Sequence, residues 1–236
     1  MNKRLIRITG IAVILTIVLV IAGILYAAHF ASTVAANQKH TAPGALKVTE
    51  TPIFSTGPLQ TFQIASNQST TSYSVYENLI FENKPNNNAI GKTNAVTGNF
   101  QIRTGTSPRV AGMNIIVDLR TLQSDSPRRD SYIQQNTLQT DTYPYATFVS
   151  VSTQGLPASY TDGQTVNFQL LGNLTMHGKT NAETFAVQGK IDGDTITGTA
   201  TSTIYMTDFD IQPPSLANIA ISQNQVLVTL AFTAKA

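Results

Sequence analysis

Cysteine is absent from this chain of 236 residues. That excludes a disulfide framework, thiol chemistry and a lipidated N-terminal cysteine. Charge is scarce as well: Asp, Glu, Lys and Arg make up 12% of the residues, while Thr, Asn, Gln and Ser are plentiful. Such a composition suits a β-rich surface rather than a charged helical protein. No acid precedes Glu50, whereas Lys3, Arg4 and Arg7 cluster at the start. The formal charge of +2 is therefore a property of the tail, and without those three residues the remainder carries −1. Nothing in this balance points to nucleic acid. Histidine occurs three times. His29 and His40 have no acidic or histidine neighbours at ligand spacing, so no metal site is expected. The Asp192/Asp194 and Asp208/Asp210 pairs lack the further oxygen ligands of a calcium loop and read as turn chemistry. No nucleophile-elbow motif occurs. His177 has neither a nucleophile nor an orienting acid beside it, so no catalytic residue and no cofactor are expected.

One long apolar run is present. Residues 8–28 hold no charge, and about 21 residues at helical rise span about 32 Å, close to a bilayer core. The basic residues on its N-terminal side predict a cytoplasmic tail (residues 1–7), a transmembrane anchor (8–28) and an extracytoplasmic remainder. A signal peptide cleaved among Ala27, Ala28, Ala31 and Ala35 is the competing reading, although its apolar core is usually shorter. Residues 29–58 lack periodicity and carry Pro43, Pro52 and Pro58, as expected of a linker.

From residue 59 onward the pattern is that of strands. Between Gln164 and Lys179, Val166, Phe168, Leu170, Leu174 and Met176 share one parity with Gly172, and polar residues fill most of the other. Period-two alternation means a strand with one apolar and one polar face. Gly172 in its middle suggests a bend or a close approach. Further strands are expected at Thr61 to Ile64 and Ser72 to Tyr76. A long one should follow from Ala89 to Arg103, with Phe100 facing in. Val110 to Leu119 places Met113, Ile115 and Val117 inward. Tyr145 to Thr153 carries Phe148, and Glu183 to Ile191 carries Phe185 and Val187. Thr195 to Met206 carries Ile204, and Gln225 to Ala234 carries Leu230. Pro85 and the Asn86 to Asn88 run read as a loop, with Leu79, Ile80 and Phe81 as its apolar shoulder. Asp192-Gly193 marks a hairpin turn, and Lys179-Thr180-Asn181 marks another turn. Ser126 and Pro127 open the one helix of the domain, as cap and first residue, running to about Asn136 or Leu138. The fold class is thus all-β: about eight antiparallel strands, read as an eight-stranded barrel able to enclose a small ligand, with one short helical insertion, preceded by the anchor.

Three stretches, in order, carry a resemblance: RRDSYIQQNTLQTDTYPYATF (128–148), LLGNLTMHGKT (170–180) and TDFDIQPP (207–214). Together they resemble the YceI-like family over about residues 59–236. The resemblance implies a lipocalin-like barrel that binds a polyisoprenoid or related long-chain amphiphile, outside the cytoplasm. The stretch 72–98 departs from the family pattern, with Tyr73-Ser74-Val75-Tyr76 where a phenylalanine-rich opening and an early histidine are usual.

The expected partners are therefore a long-chain lipid of isoprenoid or quinone type and the membrane that holds the anchor. The inward residues Phe100, Met113, Ile115, Val117, Phe148, Phe168, Leu170, Leu174, Phe185, Val187, Ile204 and Leu230 are the candidate lining. Small residues at Gly172, Gly189, Gly198 and Ala200 favour a void among them. Arg128, Arg129 and Asp130 are candidates either for pinning the helix to the barrel or for meeting a polar head group. His177 is a candidate for a turn-side hydrogen bond or a head-group contact. A barrel with a filled core that binds a partner through its exterior is the alternative.

Overall fold

Alternation between Thr165 and Met176 produces the strand it predicts, and that strand sits in the wall of a barrel. The computed structural model describes residues 44–47, 57–216 and 219–236. The expected tail, the anchor at 8–28 and most of the linker lie outside these residues. Among the described residues no helix is long and apolar enough to cross a membrane.

In chain order the strands are β1 (Leu59–Ile64), β2 (Thr70–Leu79), β3 (Lys84–Thr93), β4 (Val96–Arg103), β5 (Arg109–Asp118), β6 (Tyr145–Gln154), β7 (Thr165–Met176), β8 (Lys179–Asp192), β9 (Thr195–Tyr205), the short β10 (Ser215–Leu216) and β11 (Ala220–Ser222), and β12 (Gln225–Lys235). Eight of them close a ring in the order β1-β4-β5-β6-β7-β8-β9-β12, with β12 returning to β1. Every pairing is antiparallel, as the short connections require.

The ring is continuous at one end and split at the other. β1 meets β12 only at Gln63–Ile64. Further along, β12 pairs instead with β2 (Leu227 to Ala231 against Ser74 to Thr70). β2 carries β3 on its other edge, and β11 adds to its far end. No ladder joins β3 to β5 among the described residues. A single bridge, Lys92 with Gln123, crosses that gap. Helix α1 (Pro127–Tyr132) lies in the same insertion and continues as a π-turn through Thr137. As the sequence predicts, Ser126 accepts a hydrogen bond from the Arg129 N–H and Pro127 takes the first turn.

Three expectations need correction. Pro85 to Asn88 lies in strand β3 rather than in a loop. Asparagine is a poor strand former, yet here β2 holds the segment. The Asn78 side chain accepts from the Asn86 N–H, and the Asn88 side chain accepts from the Ser74 hydroxyl. The expected long strand from Ala89 to Arg103 is two strands, broken at Asn94-Ala95. The inward parity changes there, from Ala89, Gly91 and Thr93 to Val96, Gly98 and Phe100, which no unbroken strand allows. The turn expected at Lys179 to Asn181 falls instead at His177-Gly178, both with positive φ (52° and 75°). That is the signature of a two-residue primed hairpin turn.

The continuous end is the more tightly packed one. Phe62 stacks on Phe100 at 5.9 Å, Phe232 meets Phe100 edge-on at 6.3 Å, and Ile191, Ile196 and Ala234 complete the cluster. Two of the small residues expected to leave a void are filled by such rings. A Cβ at Gly172 would lie 2.4 Å from the tip of Phe148 and from the Val149 carbonyl, and one at Gly198 would lie 2.8 Å from Phe232. Gly172 thus serves a close approach, beside the register shift between β6 and β7 at Ser150 to Ser152.

Candidate functional site

Inward parity at the split end surrounds empty space. A cavity of about 1030 Å³ opens there, at the upper edge of the ~300–1,000 Å³ common for small-molecule pockets. Met113, Ile115 and Val117 of β5 line it, with Phe148 of β6, Leu170 and Leu174 of β7, Phe185 of β8, Ile204 of β9 and Leu230 of β12. Leu170, Ala200 and Leu230 also border a smaller cavity of about 100 Å³ deeper in, where Phe100, Phe168 and Val187 are found. The twelve sequence-derived lining residues are therefore divided between a large chamber and a small one beneath it.

Sequence reasoning missed the wall supplied by β2. Thr71, Tyr73, Val75, Glu77 and Leu79 all line the cavity. Their odd parity was visible, but Glu77 on that face reads as the end of an apolar strand. In the fold, Glu77 is buried by a partner. Arg129 donates to its carboxylate at 2.9 Å, and the two side chains keep only 17% and 7% of their exposure. Asn87 of β3 donates to the same oxygen at 3.0 Å. Arg129 also pairs with Asp125. Burial works against the charge on Arg129, but Glu77 and Asp125 outweigh it and its pKa is raised. One guanidinium therefore ties α1 to the β2–β3 hairpin across the gap in the wall.

The neighbouring candidates separate. Arg128 is exposed at the rim of the cavity. Asp130 accepts from the Ser124 N–H at 2.9 Å and the Ser124 hydroxyl at 2.6 Å, fixing the turn before the helix. His177 does not line the cavity. Its Nδ1 lies 3.1 Å from the Phe209 carbonyl and its ring packs on Tyr143 at 4.6 Å. That contact holds the left-handed residue of the β7–β8 turn.

Two further titratable groups sit in the wall. Tyr73 lies flat over Gly91, where any Cβ would meet its ring at 2.2 Å. Burial pushes its phenol up to about 12, so it remains a hydroxyl donor. Glu183 shares the inward parity of Phe185 and Val187, within 3.4 Å of the Ser202 hydroxyl. Burial raises its carboxyl from the ordinary 4.5 to about 7, with Asp208 adding to the effect against the Ser202 hydrogen bond. A carboxyl raised in the folded state contributes stability that is complete below the unfolded pKa and disappears as pH rises through the folded one. Thermal stability of the protein should therefore fall between about pH 4.5 and 7 by an amount that Glu183→Gln removes. A Glu183 carboxyl resonance titrating near its ordinary value would contradict this.

The model of the YceI-like domain matches residues 62–234. The chain belongs to the YceI-like family. The expectation drawn from the three sequence stretches is met, and it extends through the poorly matching segment 72–98. The fold is similar to a polyisoprenoid-binding domain from Saccharophagus degradans implicated in plant cell wall breakdown, at 14% identity and a TM-score of 0.58, covering 74% of this chain and 98% of that one. It is also similar to BcnA of Burkholderia cenocepacia, at 18% identity and a TM-score of 0.54, covering 73% and 99%. No curated protein matches in sequence at a significant level. At these identities the structural likeness is one of fold, and it locates this YceI-like barrel without naming what it holds.

Proposed function

We propose that this YceI-like protein is a membrane-tethered, extracytoplasmic carrier that holds a polyisoprenoid or similar long-chain amphiphile, a prenyl quinone included, in the chamber at the split end. The observation that supports it most is the chamber itself: about 1030 Å³, walled mostly by aliphatic and aromatic side chains. Burying an alkyl chain gains about 0.8 kcal/mol per CH2, so about ten such groups contribute about 8 kcal/mol before the cost of association. A tail longer than ten such groups is needed to leave the about −8 kcal/mol of micromolar binding once that cost is met. The deeper cavity bordered by Phe168 and Val187 offers a longer tail a continuation past Leu170. Membrane tethering rests on the uncharged run 8–28 and the basic residues before it.

The partner-binding alternative requires a filled interior, and the chamber weighs against it. Native mass spectrometry of the full protein in a mild detergent, followed by organic extraction, tests the reading. A co-purifying long-chain lipid at near-stoichiometric amount is expected. A protein that emerges empty and also refuses added prenyl alcohols and quinones would overturn the carrier assignment.

A further inference from the structure

We propose that the split end of the barrel seats directly on a lipid bilayer through Ile80, Phe81 and Ile219, so that the chamber opens into the membrane. The proposal extends the carrier reading above and takes the lipid cargo from it.

Ile80 and Phe81 form the tip of the β2–β3 hairpin, and Ile219 lies in the turn between β10 and β11. Phe81 is 87% exposed, with Ile80 at 43% and Ile219 at 49%. A single exposed apolar residue means little on any surface. These three differ because they are gathered at one place. The Ile80 N–H donates to the Ile219 carbonyl at 2.8 Å, which binds the two tips together. Phe81 and Ile219 also line the chamber, so the exposed surface runs without interruption into the apolar interior. A plug for the chamber would cover Phe81 rather than expose it.

Charge at this end is mostly matched. Glu82 pairs with Lys84 at 2.7 Å, Lys179 with Asp210 at 2.8 Å, and Arg129 with Glu77 and Asp125. A rim balanced in this way seats by inserting apolar side chains rather than by attraction to anionic head groups.

The chain before the barrel supplies an independent argument for a bilayer as the occupant. Gly44 bridges to Asn181 at the start of β8. The Leu46 N–H donates to Asn173 Oδ1 at 2.8 Å, and Asn173 Nδ2 donates to the Leu46 carbonyl at 3.0 Å. These contacts fasten the incoming chain to the outer wall near the β7–β8 turn. That turn is at the split end, since Leu174 and Met176 line the large chamber while Val166 at the opposite end of β7 borders the small one. Between Ala28 and Gly44 the sequence has only a short stretch. Even fully extended, about 15 residues reach about 50 Å, and as a random coil they average about 20 Å. A strand of about a dozen residues is about 40 Å long. An anchor at 8–28 therefore favours the split end, rather than the packed end, as the one that meets the membrane.

The absence of cysteine makes the test direct. An environment-sensitive fluorophore is placed on a single cysteine in the full chain, reconstituted in phosphatidylcholine vesicles whose acyl chains carry bromine. Labels at Phe81→Cys and Ile219→Cys should shift to the blue and be quenched several-fold more than one at Asp194→Cys, in the β8–β9 turn of the packed end. Replacing part of the lipid with phosphatidylglycerol should leave the contrast unaltered. Labels at 81 and 219 that emit as they do in water, although the protein is anchored, would overturn the proposal. Equal quenching at 194 would overturn it too, as would self-quenching at 81 that grows with protein density and shows contact with a second copy instead. Lipid bound without quenching at 81 rejects the seating alone. Quenching at 81 in an empty barrel rejects the cargo alone.

Discussion

Replacing Arg129 by methionine should destabilise the protein by about 3 kcal/mol, because removing one partner leaves a buried, uncompensated charge. Glu77 keeps only 7% of its side-chain exposure, and the hydrogen bond that would remain to it, from the Asn87 amide, carries no charge. Met is close to Arg in length, so the loss would report charge and hydrogen bonding more than packing. For a domain of this size about 3 kcal/mol lowers the melting temperature by roughly 10 °C. The partner test is Glu77→Gln combined with Arg129→Met, which removes both charges and should recover most of the loss. Equilibrium unfolding in urea measures both. A single variant within experimental error of the parent would show that α1 is held by something other than this pair. Because the same guanidinium bridges the gap in the wall, Arg129→Met should also speed hydrogen exchange in α1 and in β3, while leaving β7 and β8 protected.

The second large effect is expected at Leu170. It is 3% exposed and borders both the large chamber and the small one. Leu170→Asp places a carboxylate where no polar partner waits, which costs several kcal/mol whether the group ionises or stays protonated. Lipid retention should be lost, and the fold weakened with it. Ala200→Phe separates the two consequences. Ala200 borders both cavities, and a ring added there fills space that is already open. The expected result is a folded protein that co-purifies with much less lipid, read as extracted lipid per protein beside a thermal melt. A folded Leu170→Asp protein with undiminished lipid would remove β7 from the lining, and the same result for Ala200→Phe would move the tail elsewhere.

Much of this barrel was legible because apolar and polar residues alternate so strictly. In β7, β9 and β12 the inward residues could be named one by one from parity. The helix was legible from Ser126 and Pro127, whose chemistry is local. What parity could not show was which inward residues face open space and which face one another. Gly172 and Gly198 looked like gaps, yet each receives a phenylalanine ring from the adjacent strand, Phe148 or Phe232. That depends on register between strands, which no single stretch encodes. The β2–β3 hairpin was half missed for a related reason. Asn86, Asn87 and Asn88 have turn-like propensities, and the ladder with β2, together with side-chain hydrogen bonds to Ser74, Glu77 and Asn78, holds them in the strand. Glu77 and Arg129 are 52 positions apart. Arg129 was visible as a candidate for pinning the helix, but its partner was not, since the nearby Asp130 offered a closer match in sequence and serves Ser124 instead.

The seam between β1 and β12 carries a consequence for how the molecule comes into being. Gln63 pairs with Lys235 and Ile64 with Ala234, so strands from opposite ends of the domain lie side by side. A polypeptide made from its N-terminus cannot shut this ring until its last strand has emerged. Contacts so distant in sequence make for slow folding, and for that interval the inner faces of β4 to β9 stand open to solvent and to other nascent chains. A folding factor or a hydrophobic guest arriving early would find its opportunity in this window. The lipid of the carrier reading proposed above would be one such guest.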